Sequence, residues 1–160
     1  MKLLLTTLSL LLVVQAGFCD IYTYPAEDPI FEIAFPDNWN IETEDEVLHA
    51  TPKDESIYLM LWAVDEAETF EQALQIIDEV VNDLVPNLEV DDPELIEHNN
   101  MELLVITGSG SDEGVDLNAE LILFSPDGET VFVVFYFATP EAEELHASEL
   151  TKIQKSLKAK

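Results

Sequence analysis

The chain has 160 residues, 48% of them hydrophobic, and its formal net charge at pH 7 is −28. Between residues 20 and 151 a single lysine, Lys53, accompanies all 34 acidic residues, and there is no arginine. Such a negative field repels nucleic acid and anionic lipid surfaces, so both are excluded as direct partners. The hydrophobic content is too high for a disordered chain, and the length suits one domain with its own core.

Residues 1–19 have the pattern of a secretory signal peptide. Lys2 supplies the positive charge, the run Leu3–Val14 is almost wholly apolar, and small residues place cleavage after Ala16 or after Cys19. The apolar run is shorter than the roughly 20 residues that cross a bilayer, which argues against a retained anchor. We therefore expect an exported protein, periplasmic or secreted.

Cys19 is the only cysteine of the chain. Bacterial lipoproteins carry lipid on a cysteine at such a position, but Phe18 stands where their peptidase prefers a small residue, so lipid anchoring through Cys19 is disfavoured. Without a second cysteine no intrachain disulfide can form, and the core alone must hold residues 20–160 together as one domain. No later segment has the length of a membrane span.

The first elements after the signal are predicted to be strands. Residues 21–29 form a lead-in with two prolines, and Ile30–Phe35 alternates in the manner of a half-buried strand. The chain then turns at Trp39, which we expect to pack back on the sheet. Residues 40–46 are rich in acids and predict a connector without regular structure.

A strand hairpin and a helix follow. Val47–Thr51 and Ile57–Val64 are apolar runs on either side of a short turn, which is typical of an antiparallel hairpin. Thr69 and Gln72 form a capping-box pattern, and apolar residues recur after them at helical spacing. Val85 precedes a proline and is disfavoured in helical geometry, so the helix should end there.

The second half contains further strands. Glu94–His98 and Met101–Thr107 flank an Asn-Asn pair that suits a hairpin turn, whereas Leu88–Asp92 is ambiguous. Gly108–Gly114 predicts a solvated loop. The most apolar stretch, Asn118–Phe137, predicts the central hairpin, with a Pro-Asp-Gly turn between its two strands.

The last segments complete the predicted fold. Val131–Phe137 is apolar on both faces, so both sides of the sheet must be covered there. A helix is predicted at Pro140–Leu157, because Thr139 is a favourable N-cap and proline suits the first helical position. Acids at its start and lysines at its end suit the helix dipole. The order of elements predicts an α+β fold in which helices pack on an antiparallel sheet.

The histidines give no metal signal. His49, His98 and His146 are the only ones, and none has metal-ligand spacing to another. Glu143 and His146 are spaced like half of a di-iron motif, but that chemistry requires a second such pair, which the sequence lacks. We interpret His146 as a surface residue or as one at the edge of the helix's apolar stripe.

The loop Gly108–Gly114 is the other candidate for chemistry. It lacks the lysine of a phosphate-binding loop, and a strand follows it where a helix should begin. Asp112, Glu113 and Asp116 place three carboxylates within five residues, and calcium prefers oxygen ligands. Their spacing matches no familiar calcium loop, so a solvated turn is favoured, with a weak calcium site as the alternative and no other cofactor.

The motifs along the domain form a recognisable combination. They are the opening Phe31-x-Ile33-x-Phe35-Pro36-x-x-Trp39, the amphipathic helix, the glycine-rich turn, the Asp-Gly hairpin and the closing Ile153-x-x-Ser156-Leu157-Lys158. Over residues 28–158 they resemble the PsbP-like superfamily, which includes the extrinsic photosystem protein, a Ran-binding fungal protein and exported bacterial proteins of unknown role. The resemblance implies an antiparallel sheet flanked by helices on both faces, and a role in binding or assembly. No binding residue of that superfamily maps onto this sequence.

The acidity allows three interpretations: solvation in a salty medium, loose binding of divalent cations, or attraction of a basic partner. No nucleophile–base pair, metal cluster or cofactor loop is recognisable. We therefore expect an exported, non-catalytic binding or assembly domain with a protein partner. The negative charge of the chain favours a basic partner. The alternative is a hydrolase that uses two of the carboxylates, which would require a cleft and a carboxyl group with a raised pKa.

Overall fold

The computed structural model describes residues 19–24 and 27–160. Apart from Cys19, the predicted signal peptide lies outside the described residues, and so does the cleavage position after Ala16. Within those residues, no helix is long and apolar enough to cross a membrane.

Eleven strands and two helices make up the described part of the chain. They are β1 (Cys19–Tyr24), β2 (Phe31–Pro36), β3 (Trp39–Glu44), β4 (Val47–Pro52), β5 (Ile57–Ala63), α1 (Phe70–Leu84), β6 (Glu89–Val90), β7 (Glu94–His98), β8 (Met101–Asp112), β9 (Val115–Phe124), β10 (Phe132–Ala138), α2 (Pro140–Ser156) and β11 (Lys158–Ala159). The strands pair antiparallel throughout. The prediction of an α+β fold with an antiparallel sheet is confirmed.

The larger sheet has eight strands in the order β3-β4-β5-β10-β9-β8-β6, with β7 also paired to β8. β10 lies between β5 and β9, so that Val133 is opposite Trp62 on one side and Leu123 on the other. The prediction that Val131–Phe137 lies in the middle of the sheet, away from an exposed edge, is confirmed.

Two hydrophobic clusters form on opposite faces of β10, because successive side chains of a strand point to opposite faces. Val134 belongs to a cluster that contains Ile153 of α2, which we call the α2 cluster. Val133 and Phe135 belong to a second cluster that contains Ile77 of α1, which we call the α1 cluster. Each helix thus contributes buried side chains to a different cluster.

Both helices begin at the predicted caps. The Thr69 Oγ1 accepts a hydrogen bond from the backbone N–H of Gln72 at 3.3 Å, and Gln72 Oε1 accepts from the backbone N–H of Glu68 at 2.9 Å. The capping box is therefore present, although its return bond reaches the residue before the cap. The Thr139 Oγ1 accepts from the N–H of Ala142 at 3.3 Å. The two predicted helices are confirmed.

The smaller sheet has the order β1-β2-β11. Residues 21–24, predicted as a lead-in, are instead part of β1, which pairs with β2 from Cys19 opposite Pro36 to Tyr24 opposite Phe31. The Tyr24 ring stacks on Phe31 with 5.8 Å between ring centroids, and this aromatic contact helps to hold a segment whose following prolines had suggested less order.

The C-terminal residues close the smaller sheet on its other side. Lys158 of β11 lies opposite Glu32 of β2, and its Nζ is 2.7 Å from Glu32 Oε1. Lys160 forms a second ion pair with Glu32, through Oε2. Two of the clustered lysines therefore have a role beyond the helix dipole.

Two segments predicted as connector and loop are strands. The acidic connector at 40–46 is instead mostly β3, which pairs with β4, and the chain turns only at Asp45 and Glu46, with φ of 48° and 68°. Charged residues are compatible with a strand here because β3 lies at a sheet edge and one of its faces is exposed. β8 continues through Asp112, so the predicted loop is reduced to a turn at Glu113 and Gly114.

The glycines of β8 allow a close approach between strands. A Cβ at Gly108 would lie 2.7 Å from the backbone oxygen of Glu89, and one at Gly110 would lie 2.8 Å from Cγ1 of Val85. Glycine within a strand often marks such an approach. The predicted loop glycines thus let β8 pack against β6 and the chain that leaves α1.

Candidate functional site

A groove of about 740 Å³ lies at β3, the edge strand of the larger sheet. Most residues of β3 line it, and β1, β4, β5 and the β4–β5 turn supply the other walls. The lining residues are Asp20, Tyr22, Trp39, Asn40, Ile41, Glu42, Glu44, His49, Thr51, Glu55 and Tyr58.

The groove lies at the edge strand of the larger sheet and extends across one face of that sheet. β3 is the terminal strand of the larger sheet, and within the described part of the chain it pairs with β4 alone. Trp39 and Ile41 belong to the α2 cluster or pack against it, whereas Glu42 lies opposite His49 on the other face. Because Trp39 and Ile41 line the groove together with Glu42, the groove includes the outer edge of β3 as well as one face of the sheet.

The groove is strongly acidic. Asp20, Glu42, Glu44 and Glu55 are exposed along it, and no lysine is among its described lining residues. Lys53 lies in the adjacent β4–β5 turn but is not part of the lining. Carboxylates on neighbouring elements, with no cation among the lining to balance them, make this edge a surface that attracts positive charge.

Aromatic rings line the same groove as the carboxylates. Tyr22, Trp39 and Tyr58 line the groove, and the Tyr58 hydroxyl lies 2.7 Å from Nδ1 of His49. Aromatic faces attract ammonium and guanidinium groups, and carboxylates form charge-assisted hydrogen bonds with them. Such a combination is the chemistry that recognises lysine and arginine side chains.

A network on α2 fixes one wall of the groove. His146 Nδ1 lies 2.6 Å from Glu149 Oε2, and His146 Nε2 lies 3.1 Å from Asp54 Oδ2. Glu149 also accepts hydrogen bonds from Trp39 Nε1 at 3.1 Å and from Asn38 Nδ2 at 3.0 Å. The indole at the start of β3 is therefore held in place by the helix.

The electrostatics of this network favour a charged histidine. Burial alone lowers the pKa of His146, but the hydrogen bonds and charges of Glu149 and Asp54 outweigh it and raise that pKa above its ordinary value. Glu143, three residues earlier, bonds instead to Tyr136 and Asn118. Glu143 and His146 therefore belong to two separate hydrogen-bond networks, and each side chain has a structural role.

A second cleft, of about 340 Å³, lies between α2 and the strands β9 and β10. Glu120 of β9 and Tyr136 of β10 are opposite each other in it. Glu143 of α2 accepts a hydrogen bond from the Tyr136 hydroxyl at 2.8 Å and another from Asn118 Nδ2 at 2.5 Å.

The ionisation of this cleft is unusual. Burial, and then the charge of Glu143, raises the pKa of Glu120 to about 7. Burial also raises the pKa of Tyr136, so its hydroxyl stays protonated and donates to Glu143. Sequence reasoning did not single out Glu120; the available signal was a carboxylate at an inward position of the apolar run Ala119–Phe124.

The three carboxylates predicted as a weak metal site lie at the β8–β9 turn. Asp112 is opposite Val115 and Asp116 is opposite Ser111, so the two aspartates lie on opposite faces of the ribbon, with Glu113 in the turn between them. In the described ranges, no group of three or more His, Cys, Asp or Glu side chains is arranged to hold a metal ion. A calcium site at this turn stays a prediction.

Several solved structures share this fold, although no protein-family model and no curated protein sequence matches the chain. The solution structure of cyanobacterial PsbP (CyanoP) from Synechocystis superposes with a TM-score of 0.64 at 10% identity, over 92% of this chain and 96% of CyanoP. The Saccharomyces cerevisiae Ran-binding protein Mog1p gives a TM-score of 0.56 at 9% identity, over 89% of this chain and 95% of Mog1p.

Two further structures extend the comparison to other bacteria. LpqN, which is involved in cell envelope biogenesis of Mycobacterium tuberculosis, gives a TM-score of 0.55 at 15% identity, over 88% of this chain and 91% of LpqN. A structure from Bacteroides thetaiotaomicron matches 81% of this chain but is longer, so the match covers 45% of its own length. The chain therefore has the fold of PsbP and Mog1p, and the resemblance to PsbP-like proteins is confirmed at the level of the fold.

Proposed function

We propose that this chain is an exported, non-catalytic binding or assembly domain that recognises a basic surface on a protein partner. The observation that carries the proposal is the groove at β3, which exposed carboxylates and aromatic rings line together. The α1 and α2 clusters support a layered arrangement with a helix on each face of the sheet. Such an arrangement would keep the groove rigid.

The charge of the whole chain works in the same direction as the groove. A net charge of −28 steers a basic partner toward the domain and speeds association at low ionic strength. The same field repels acidic partners, which confers selectivity. Binding by this route should weaken steeply as salt screens the charges.

Two neighbours in fold support a role of this kind. Mog1p is a Ran-binding protein, so a domain of this fold can serve to bind a protein. LpqN is involved in cell envelope biogenesis, which agrees with the export predicted from residues 1–19. N-terminal sequencing of protein recovered from the envelope or the medium tests export, and a chain that still begins at Met1 would contradict it.

The cleft at Glu120 favours one second candidate, a carboxylate hydrolase. A carboxyl group whose pKa is near 7, close to a second carboxylate, is the pairing that acid–base hydrolysis uses. Against it, both oxygens of Glu143 already accept hydrogen bonds, from Tyr136 and Asn118. Glu143 is thus engaged in a network within the protein, which makes binding the better-supported function.

One experiment separates the two functions. Immobilised protein is exposed to envelope extract at low and at high salt, and the same preparation is assayed on a panel of glycosides. A basic protein recovered only at low salt supports the binding function. The absence of any captured protein, together with turnover that Glu120→Gln abolishes, would establish the hydrolase instead.

A further inference from the structure

We propose that β3 is a docking edge to which an extended, lysine- or arginine-rich segment of the partner adds as one more strand. The inference rests on the proposed function and specifies where the basic partner binds and in which conformation. The partner segment would lie in the groove, between β3 and the wall formed by Asp20 and Tyr22 of β1.

The backbone of β3 supplies the first requirement. Trp39–Glu44 pairs with β4 on one side, and within the described residues no strand lies on the other side. The outward N–H and C=O groups of such an edge form hydrogen bonds with an added strand, which provide affinity independent of sequence. The groove beside this edge provides the room that the added strand needs.

Charge decides which strand can occupy the edge. A second copy of this chain would bring its own Glu42 and Glu44 against the same residues, and like charges that face each other across a strand pair are destabilising. The edge contains neither lysine nor proline, the residues that commonly protect edges. Its carboxylates thus exclude copies of the same chain while they attract a basic segment.

The two faces of β3 also predict the pattern of the partner segment. Side chains of neighbouring strands that share a face contact each other. On one face an added strand would meet Glu42 and Glu44, and on the other Trp39 and Ile41. Basic residues are therefore expected at alternate positions of the segment, with apolar residues between them.

The test uses a fluorescein-labelled peptide of alternating lysine and valine, with the purified protein titrated at low ionic strength and anisotropy as the readout. The double variant Glu42→Gln/Glu44→Gln should weaken binding about tenfold, because both carboxylates would contact the lysines directly. Glu94→Gln/Glu97→Gln is the matched control, since these exposed glutamates lie on β7 and remove the same charge. The control should weaken binding less than about twofold.

Two further peptides, each N-methylated on one edge, test strand addition itself. N-methylation of every second backbone amide removes hydrogen-bond donors on one edge of the peptide and leaves its charge unchanged. Methylation on the edge that faces β3 should abolish binding, whereas methylation on the opposite edge should have little effect. The largest shifts of backbone amide resonances on peptide binding should fall at residues 39–44.

Several results would overturn the docking edge. They are the absence of peptide binding, an equal loss with both double variants, and equal binding of both methylated peptides. Capture of a basic partner that persists in Glu42→Gln/Glu44→Gln would also overturn it while the proposed function stands. Loss of every basic partner from wild-type protein at low salt would instead remove the proposed function.

Discussion

Glu120→Gln should stabilise the protein at neutral and alkaline pH. Burial, followed by the charge of Glu143, raises the pKa of the Glu120 carboxyl from 4.5 to about 7. Between these two values the folded state binds more protons than the unfolded state, so the stability contributed by this group falls as the pH rises through that window. Above the window the full cost of ionising a buried carboxyl remains.

The magnitude follows from the shift. Each pKa unit corresponds to 1.36 kcal/mol, so ionisation of Glu120 lowers the free energy of unfolding by about 3 kcal/mol at pH 8 and by less than about 1 kcal/mol at pH 5. Glutamine carries no charge at either pH and avoids this cost. Solvent screening at the partly exposed side of the cleft reduces the expected gain at pH 8 to about 2–3 kcal/mol.

Urea unfolding followed by tryptophan fluorescence measures this difference at pH 5 and pH 8, with Trp39 and Trp62 as reporters. The control variant is Glu94→Gln, an exposed glutamate at the start of β7, which should change stability by less than about 0.5 kcal/mol. If Glu120→Gln were no more stable than wild type at pH 8, or gained equally at both pH values, the burial argument would be refuted.

Three further changes test the network on α2, the close approach at β8 and the charge. His146→Gln should lower the free energy of unfolding by roughly 1 kcal/mol at pH 6 and by less at pH 9. The raised pKa of His146 contributes stability that is lost as the pH rises through that pKa. Equal losses in urea titrations at both pH values would contradict this expectation. Gly108→Ala should cost about 1–3 kcal/mol, since its Cβ would meet a backbone oxygen at 2.7 Å, while neighbouring Ser109→Ala should be nearly neutral. The melting temperature should rise with sodium chloride as 34 carboxylates are screened, and a larger rise with millimolar calcium at matched ionic strength would support the site at Asp112, Glu113 and Asp116.

The elements that local chemistry specifies were predictable. Thr69 and Thr139 begin their helices as N-caps because a side-chain oxygen meets a backbone N–H within one turn, a relation that short sequence spacing shows directly. The central hairpin was predictable for a similar reason, since a continuous run of β-branched and aromatic residues is typical of a strand that is buried on both faces.

Two strands that lack a strong local pattern were not predictable. β3 is acidic and lies at an edge, so its side chains carry no alternation strong enough to distinguish it from a connector. β1 is held by pairing with β2 and by aromatic contacts, neither of which leaves a local pattern. The groove could not be predicted from the sequence either, because it exists only where β3, β1 and the β4–β5 turn meet in the folded chain.

The ion pairs between Glu32 and the lysines of residues 158–160 bear on the order in which the chain can fold. β2 lies near the beginning of the domain, yet its second sheet partner comes more than a hundred residues later. Synthesis from the N-terminus therefore delivers β11 after the other described strands, so β1 and β2 can pair early, whereas the third strand of the smaller sheet is added only after both helices have been made.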